Sequence, residues 1–153
     1  MFEEKKEVNT IEKYLLFELG KELYAIELLE VKEVITPPET TPIPKCQPYV
    51  CGLMNLRGLV LTIIDLRKKL NITQGPITPE NAVIVFDLKN RLVGGVVDSI
   101  VKVINLKKDA IKPVPDDNTS GHHLKGVIEH ENSLCLLIDA HKMFESVPQK
   151  KAA

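Results

Sequence analysis

The chain has no tryptophan, and aromatic residues make up only 5% of it. Few flat surfaces are therefore available for stacking bases. It also lacks excess charge of either sign: the formal net charge is −1. No general electrostatic pull toward nucleic acid or an anionic membrane follows from that balance. No apolar run reaches the roughly 18 residues of a membrane-spanning helix. The start, Met1–Glu7, is charged and has no signal-peptide core. Cysteine is scarce and odd in number, at positions 46, 51 and 135. The Cys46–Cys51 spacing is not a metal knuckle, so the three read as reduced thiols of a cytosolic protein. The length of 153 residues suits one domain or two small subdomains. A chain of that size buries roughly 70% of its unfolded surface and needs no disulfide or metal to fold.

What is present is a series of short β-like runs. Tyr14–Leu19 and Leu23–Leu28 flank the turn Gly20-Lys21-Glu22, and Val31–Ile35 follows. Thr36–Pro48 carries five prolines and must be a loop, because proline lacks the N–H that a strand ladder needs. Leu53–Leu56 and Leu59–Ile64 form a hairpin. Asp65 can cap a short helix, Leu66–Leu70, whose Arg67, Lys68 and Lys69 suit a helix C-terminal half. A linker near 71–80 leads to a second series: Ala82–Leu88, the turn Lys89-Asn90-Arg91, Leu92–Val97, Ile100–Leu106, a proline- and aspartate-rich loop over 111–120, then Leu124–Glu129 and Ser133–Ile138. Asp139 can cap a final helix, Ala140–Ser146. Residues 1–12 and 147–153 read as polar tails. Many short strands separated by turn signals indicate a sandwich or a pair of small barrels.

The second series echoes the first. Gly52 to Asp65 is repeated without a gap by Gly126 to Asp139, 74 residues later. Phe17-Glu18-Leu19 and Val34-Ile35 recur 69 residues later as Phe86-Asp87-Leu88 and Val103-Ile104. A duplicated small β-unit is the simplest reading, with a short insertion in the second copy. The echo repeats the hairpin but not its charge: Glu131 stands where Arg57 stood.

Candidate chemistry is thin. Asp65, Asp98 and Asp139 each follow an apolar strand, where capping and turn roles fit better than acid–base work. His122, His123, His130 and His141, with Cys135, could supply metal ligands. Adjacent His122 and His123 diverge on an extended backbone, however, and His130 and Cys135 lie on opposite strands of a hairpin. Gly94-Gly95 lies inside a strand run, so a bulge or a close backbone approach suits it better than a phosphate cradle.

Arg57 stands apart. It sits between two apolar runs that need a core, beside Gly58, at the predicted turn of a hairpin. It is a solvated turn residue, an internal ion pair with Glu33 or Asp65, or a fixed charge that grips a partner. Alternation in Val31–Ile35 places Val31, Glu33 and Ile35 on one face, so Glu33 is either an exposed edge residue or a pairing group. A nucleic-acid-binding barrel and a small metal-dependent hydrolase remain alternatives of other classes. Charge balance and scarce aromatics count against the first.

The order of YLLFELGKELYAIELLEVKEVI, PYVCGLMNLRGLVLTIIDLRKKL, RLVGGVVDSIVKVI and IKPVP resembles the CheW-like family of chemotaxis coupling proteins, over about Tyr14 to Phe144. The resemblance implies a mostly β fold of two intertwined halves, five-stranded SH3-like barrels making one domain over 13–146. It implies no enzyme activity and no cofactor or metal. The implied role is a cytoplasmic adaptor, recruited to receptor arrays, that joins chemoreceptor tips to the regulatory domain of the histidine kinase CheA, with neither nucleic-acid binding nor membrane insertion. Carried over by position, the receptor groove comprises Val31, Glu33, Arg57, Ile100 and Val103. Gly52 and Gly94 match family glycines near that groove, and Gly58 adjoins Arg57; all three are expected to serve backbone shape. The proline-dense Thr36–Pro48 loop departs from the family pattern at the groove rim.

Overall fold

A computed structural model describes residues 10–72, 75–89, 91–114, 123–145 and 147. The expected tails at 1–9 and 148–153, most of the 111–120 loop and His122 lie outside the described residues.

Among the described residues, ten strands and two short helices follow in order: β1 (Ile11–Leu19), β2 (Glu22–Glu27), β3 (Val31–Ile35), β4 (Val50–Leu56), β5 (Leu59–Asp65), α1 (Leu66–Lys69), β6 (Ala82–Asp87), β7 (Leu92–Val97), β8 (Ser99–Lys107), β9 (Leu124–His130), β10 (Ser133–Ile138) and α2 (Ala140–Phe144). Every predicted strand is present. β1 begins at Ile11, inside the stretch read as a tail, because Ile11 and Glu12 pair with Lys107 and Leu106. Val147, also assigned to a tail, is buried at 4% exposure. The Arg91 guanidinium donates to its carbonyl and to that of Phe144, which ties the chain end down. The final helix stops at Phe144, short of the expected Ser146.

The strands form two five-stranded sheets, ordered β8-β1-β2-β10-β9 and β3-β6-β7-β5-β4. The duplication alone does not say how the copies share the sheets, and the strand orders show it. Each sheet takes two strands from one half and three from the other, so the copies are interleaved. The two sheets nonetheless match strand for strand under the repeat. Both contain one parallel pair, β10 with β2 and β5 with β7, in corresponding register: Leu136 faces Tyr24 and Thr62 faces Val93. Both are closed into barrels by equivalent bridges across their open edges, Thr41 to Leu53 and Lys112 to Val127.

This closure explains Gly52. Its φ is +144°, and a Cβ there would lie 2.4 Å from the Thr41 carbonyl oxygen, the atom that accepts the closing bond from Leu53. Gly94 is explained by packing: a Cβ would lie 2.4 Å from Ile63 Cδ1. The β6–β7 ladder runs through it without a register shift, so of the two readings offered for Gly94-Gly95 the close approach holds and the bulge does not.

Three apolar clusters follow from alternation. Tyr14, Leu16, Ile104, Ile128 and Leu137 fill the first barrel, while Leu61, Ile63, Val83, Val85 and Val96 fill the second. Between the barrels lies the largest cluster, to which Leu15, Phe17 and Ile26 come from one sheet and Ile64, Ile84 and Phe86 from the other. Strands such as β1 are therefore buried on both faces, which is why Tyr14-Leu15-Leu16-Phe17 reads as a continuous apolar run. Phe144 of α2 closes one side of the shared core, its ring 4.8 Å from that of Phe86.

Candidate functional site

The β4–β5 hairpin turns on two residues, Arg57 at φ +50° and Gly58 at φ +90°. Both values are positive, as a tight hairpin turn requires. Asn55 secures the turn: its Oδ1 accepts the Gly58 N–H at 2.8 Å. Holding a non-glycine residue in this region costs about 1 kcal/mol.

Its guanidinium meets Glu33 in a two-pronged ion pair, Nη1 to Oε2 at 2.8 Å and Nη2 to Oε1 at 2.7 Å. Parallel charge-assisted bonds of this kind fix orientation as well as distance. Of the partners considered for Arg57, Glu33 is the one engaged; Asp65 is taken by Arg67. The hydrogen bonds from Arg57, more than its charge alone, hold the Glu33 carboxyl below the usual carboxylate range and push the guanidinium further up. Glu33 lies on β3 and Arg57 at the tip of β4–β5, and β3 and β4 are the two edges of one sheet. The pair is thus a clip across the barrel seam. It remains open to a partner, with the Arg57 side chain 67% exposed.

Val31 and Ile100 are counterparts under the 69-residue repeat. Both are partly buried against the core shared by the barrels. Val103 has Val34 as its counterpart, and both face outward at 45% and 42% exposure. The structure therefore brings Glu33 and Arg57 into direct contact, with Val31 two residues along the same strand. Ile100 and Val103 lie on the equivalent edge strand of the other barrel.

Sequence reasoning missed two features. The first is a second clip. Lys102 corresponds to Glu33 and Glu131 to Arg57, and Lys102 Nζ lies 3.5 Å from Glu131 Oε1. Glu131 carries the reversed charge in the sequence repeat. Applying the 69-residue offset to Glu33 would have supplied its lysine. The second is Arg67, which the sequence groups with a basic helix end. Its side chain is 4% exposed. It donates to both Asp65 oxygens at 3.0 and 3.1 Å and to Asp98 Oδ1 at 3.2 Å. Asp98 also accepts the Gly20 N–H at 2.5 Å. This cluster links the β1–β2 turn of one barrel to the helix that follows β5 of the other. Asp65 caps α1 by accepting the Arg67 N–H, and Asp139 caps α2 by accepting from Lys142, as expected.

All three cysteines are free thiols, and burial pushes the Cys51 thiol up to about 11. It is therefore protonated at neutral pH and a poor nucleophile. Among the described residues no group of three or more His, Cys, Asp or Glu side chains is placed to hold a metal ion. Cys135 pairs with Ile128 and His130 with Ser133, so those two candidate ligands lie at different levels of their hairpin. No helix of the described residues is long and apolar enough to cross a membrane.

Fold and site together define a class: an interleaved double β-barrel whose exposed feature is a charged clip at a strand edge. Comparison with known proteins makes the class specific. The CheW-like domain model matches residues 13–147. The chemotaxis protein CheW of Bacillus subtilis is 32% identical over 148 residues, covering 95% of both chains. That of Klebsiella aerogenes is 34% identical over 138 residues, covering 88% of this chain and 82% of the relative. The crystal structure of the scaffolding protein TtCheW from Thermoanaerobacter tengcongensis superimposes with a TM-score of 0.84 at 27% identity, covering 90% of this chain and 95% of that one. The chain belongs to the CheW family of chemotaxis scaffold proteins.

Proposed function

We propose that this protein is a non-catalytic adaptor that couples chemoreceptor cytoplasmic tips to the regulatory domain of the histidine kinase CheA. The observation that carries the reading is the exposed two-pronged Glu33–Arg57 clip on the edge of a family-type barrel. A fixed ion pair beside partly buried apolar residues is what a recognition surface needs. Val31, Glu33, Arg57, Ile100 and Val103 form the receptor groove in this reading. The apolar side chains take up the apolar face of a receptor helix, and the clip sets its register. A second surface holds the kinase. Each contact is weak alone, and linkage through effective concentration makes the assembly stable. The working place is the cytoplasmic face of a receptor array.

The test is a pull-down of this protein with a receptor-tip fragment and the CheA regulatory domain, wild type beside Arg57→Ala. Wild type retains both partners, and the variant loses the receptor while keeping the kinase domain. A variant that retains the receptor as wild type does removes Arg57 from the groove. A wild-type protein that retains neither partner overturns the adaptor reading.

A further inference from the structure

The two places where a hairpin runs into its short helix are built alike but charged differently. Arg67 stands two residues beyond the capping Asp65, and its permanent cation reaches Asp98 at 3.2 Å. Two residues beyond the capping Asp139 stands His141, whose charge depends on pH. The acceptor differs as well. The residue equivalent to Asp98 is Leu29, which is 85% exposed. The carboxylate has moved one residue on, to Glu30, and Glu30 Oε2 lies 3.3 Å from His141 Nε2.

Glu30 is held in a costly position. Its side chain is 15% exposed. Its Oε1 is buried with no hydrogen-bond partner. A buried carboxylate oxygen without a donor is destabilised unless a nearby cation compensates it. Lys125 faces it from β9, Glu27 from β2, Asp139 from the cap of α2 and His141 from α2 itself. Lys125 is already engaged with Glu27. Without a proton on His141 the surroundings offer Glu30 one cation against two carboxylates, and the proton restores the balance. Burial accordingly pushes the Glu30 carboxyl above the usual carboxylate range.

Glu30 closes the 3-10 turn Leu28–Glu30, and β3 begins at the next residue. We propose that His141 and Glu30 form a pH-sensitive latch that pins this turn, and β3 with it, onto α2 while His141 is protonated. The latch slackens as pH rises and the ring loses its charge. The neutral ring then offers only an uncharged N–H. The Arg67–Asp98 junction of the other barrel has no such dependence. β3 therefore loosens with rising pH while its counterpart β8 does not.

Hydrogen exchange read as protection factors tests this, with the Ile100–Val103 amides as internal reference for the Val31–Ile35 amides. In wild type the β3-to-β8 protection ratio falls about two- to fivefold between pH 6 and pH 8, the range an exposed ion pair supports. His141→Gln holds the ratio flat at the low value. His141→Arg, which copies the other junction, holds it at the high value through pH 8. Glu30→Gln removes the pH dependence altogether. A wild-type ratio that does not change between pH 6 and 8, or that falls equally in His141→Gln, overturns the latch.

Discussion

The two barrels carry the same strands in the same order but differ in how their seams are fastened. In one, Arg57 grips Glu33 through two bonds of 2.7 and 2.8 Å. In the other the charges are exchanged: Lys102 approaches Glu131 through a single contact of 3.5 Å, with both side chains substantially exposed. A guanidinium fork matches a carboxylate in shape, whereas an ammonium does so only as a point charge. The duplication therefore kept the place of the clip and varied its strength. The barrel mouths diverge in the same manner. Cys51 and Val96 line a cavity of about 500 Å³ at one mouth. At the other their counterparts, Lys125 and Glu27, meet as an ion pair beside a smaller cavity of about 320 Å³. Matching strand order and register leave these differences to the side chains.

The helix junctions differ most, so their variants give the largest effects. Arg67→Ala leaves Asp65 and Asp98 without their cation and costs about 3–5 kcal/mol of stability. His141→Ala, at the equivalent position, costs less than about 1 kcal/mol, because its ring is 54% exposed. Urea unfolding of the two variants side by side measures the gap. Equal losses would mean that the Arg67 cluster is no more dependent on its charge than the exposed pair.

The closing glycines come next. Gly52→Ala must adopt φ +144° and meets a backbone oxygen, for about 3 kcal/mol. Gly126→Ala meets Ile111 Cγ2, a side-chain atom, at 2.3 Å and a backbone oxygen, that of Lys112, only at 3.3 Å, for about 1–2 kcal/mol. Thermal melts rank the two, and the reverse order would remove the backbone explanation of Gly52.

Acid separates the clips. Arg57 holds the Glu33 carboxyl below its ordinary value. The clip's contribution is thus complete above the unfolded carboxylate value of about 4.3 and is lost as pH falls through the lower folded value. In Arg57→Ala this part of the acid-induced loss disappears. Stability measured from pH 6 down to pH 3 shows it as a shallower slope than in wild type. Glu131→Ala produces the smallest effect, a few tenths of a kcal/mol at neutral pH.

The strands were legible because the chain alternates between faces or, where both faces are buried, runs apolar. The capping roles of Asp65 and Asp139 were legible because a carboxylate before a short helix has one obvious use. The intertwining of the halves came from the resemblance and not from the pattern, since alternation tells a strand which face to bury but not which edge to join. Seam closure joins loop residues Thr41 and Lys112 to β4 and β9, and neither loop carries a strand pattern. Arg67 was hidden by its neighbours Lys68 and Lys69, which made the whole run look like a solvated helix end. Arg57 and Glu33 were both visible as unusual charges among apolar residues. Their pairing was one of two options, and the structure decides it through the hairpin turn. The remaining residues carried over by resemblance, Ile100 and Val103, are the repeat mates of Val31 and Val34, a relation that the stated 69-residue offset already contained.

The central claim is that the Glu33–Arg57 clip is read by the receptor as well as closing the barrel. Its most direct test is the affinity for a receptor-tip fragment of the exchanged variant Glu33→Arg/Arg57→Glu, which keeps an ion pair across the seam but reverses it. The account predicts a stability near wild type and a receptor affinity reduced at least tenfold, with the CheA regulatory domain still bound. Wild-type affinity in the exchanged variant would contradict it and leave the pair as a barrel fastener alone.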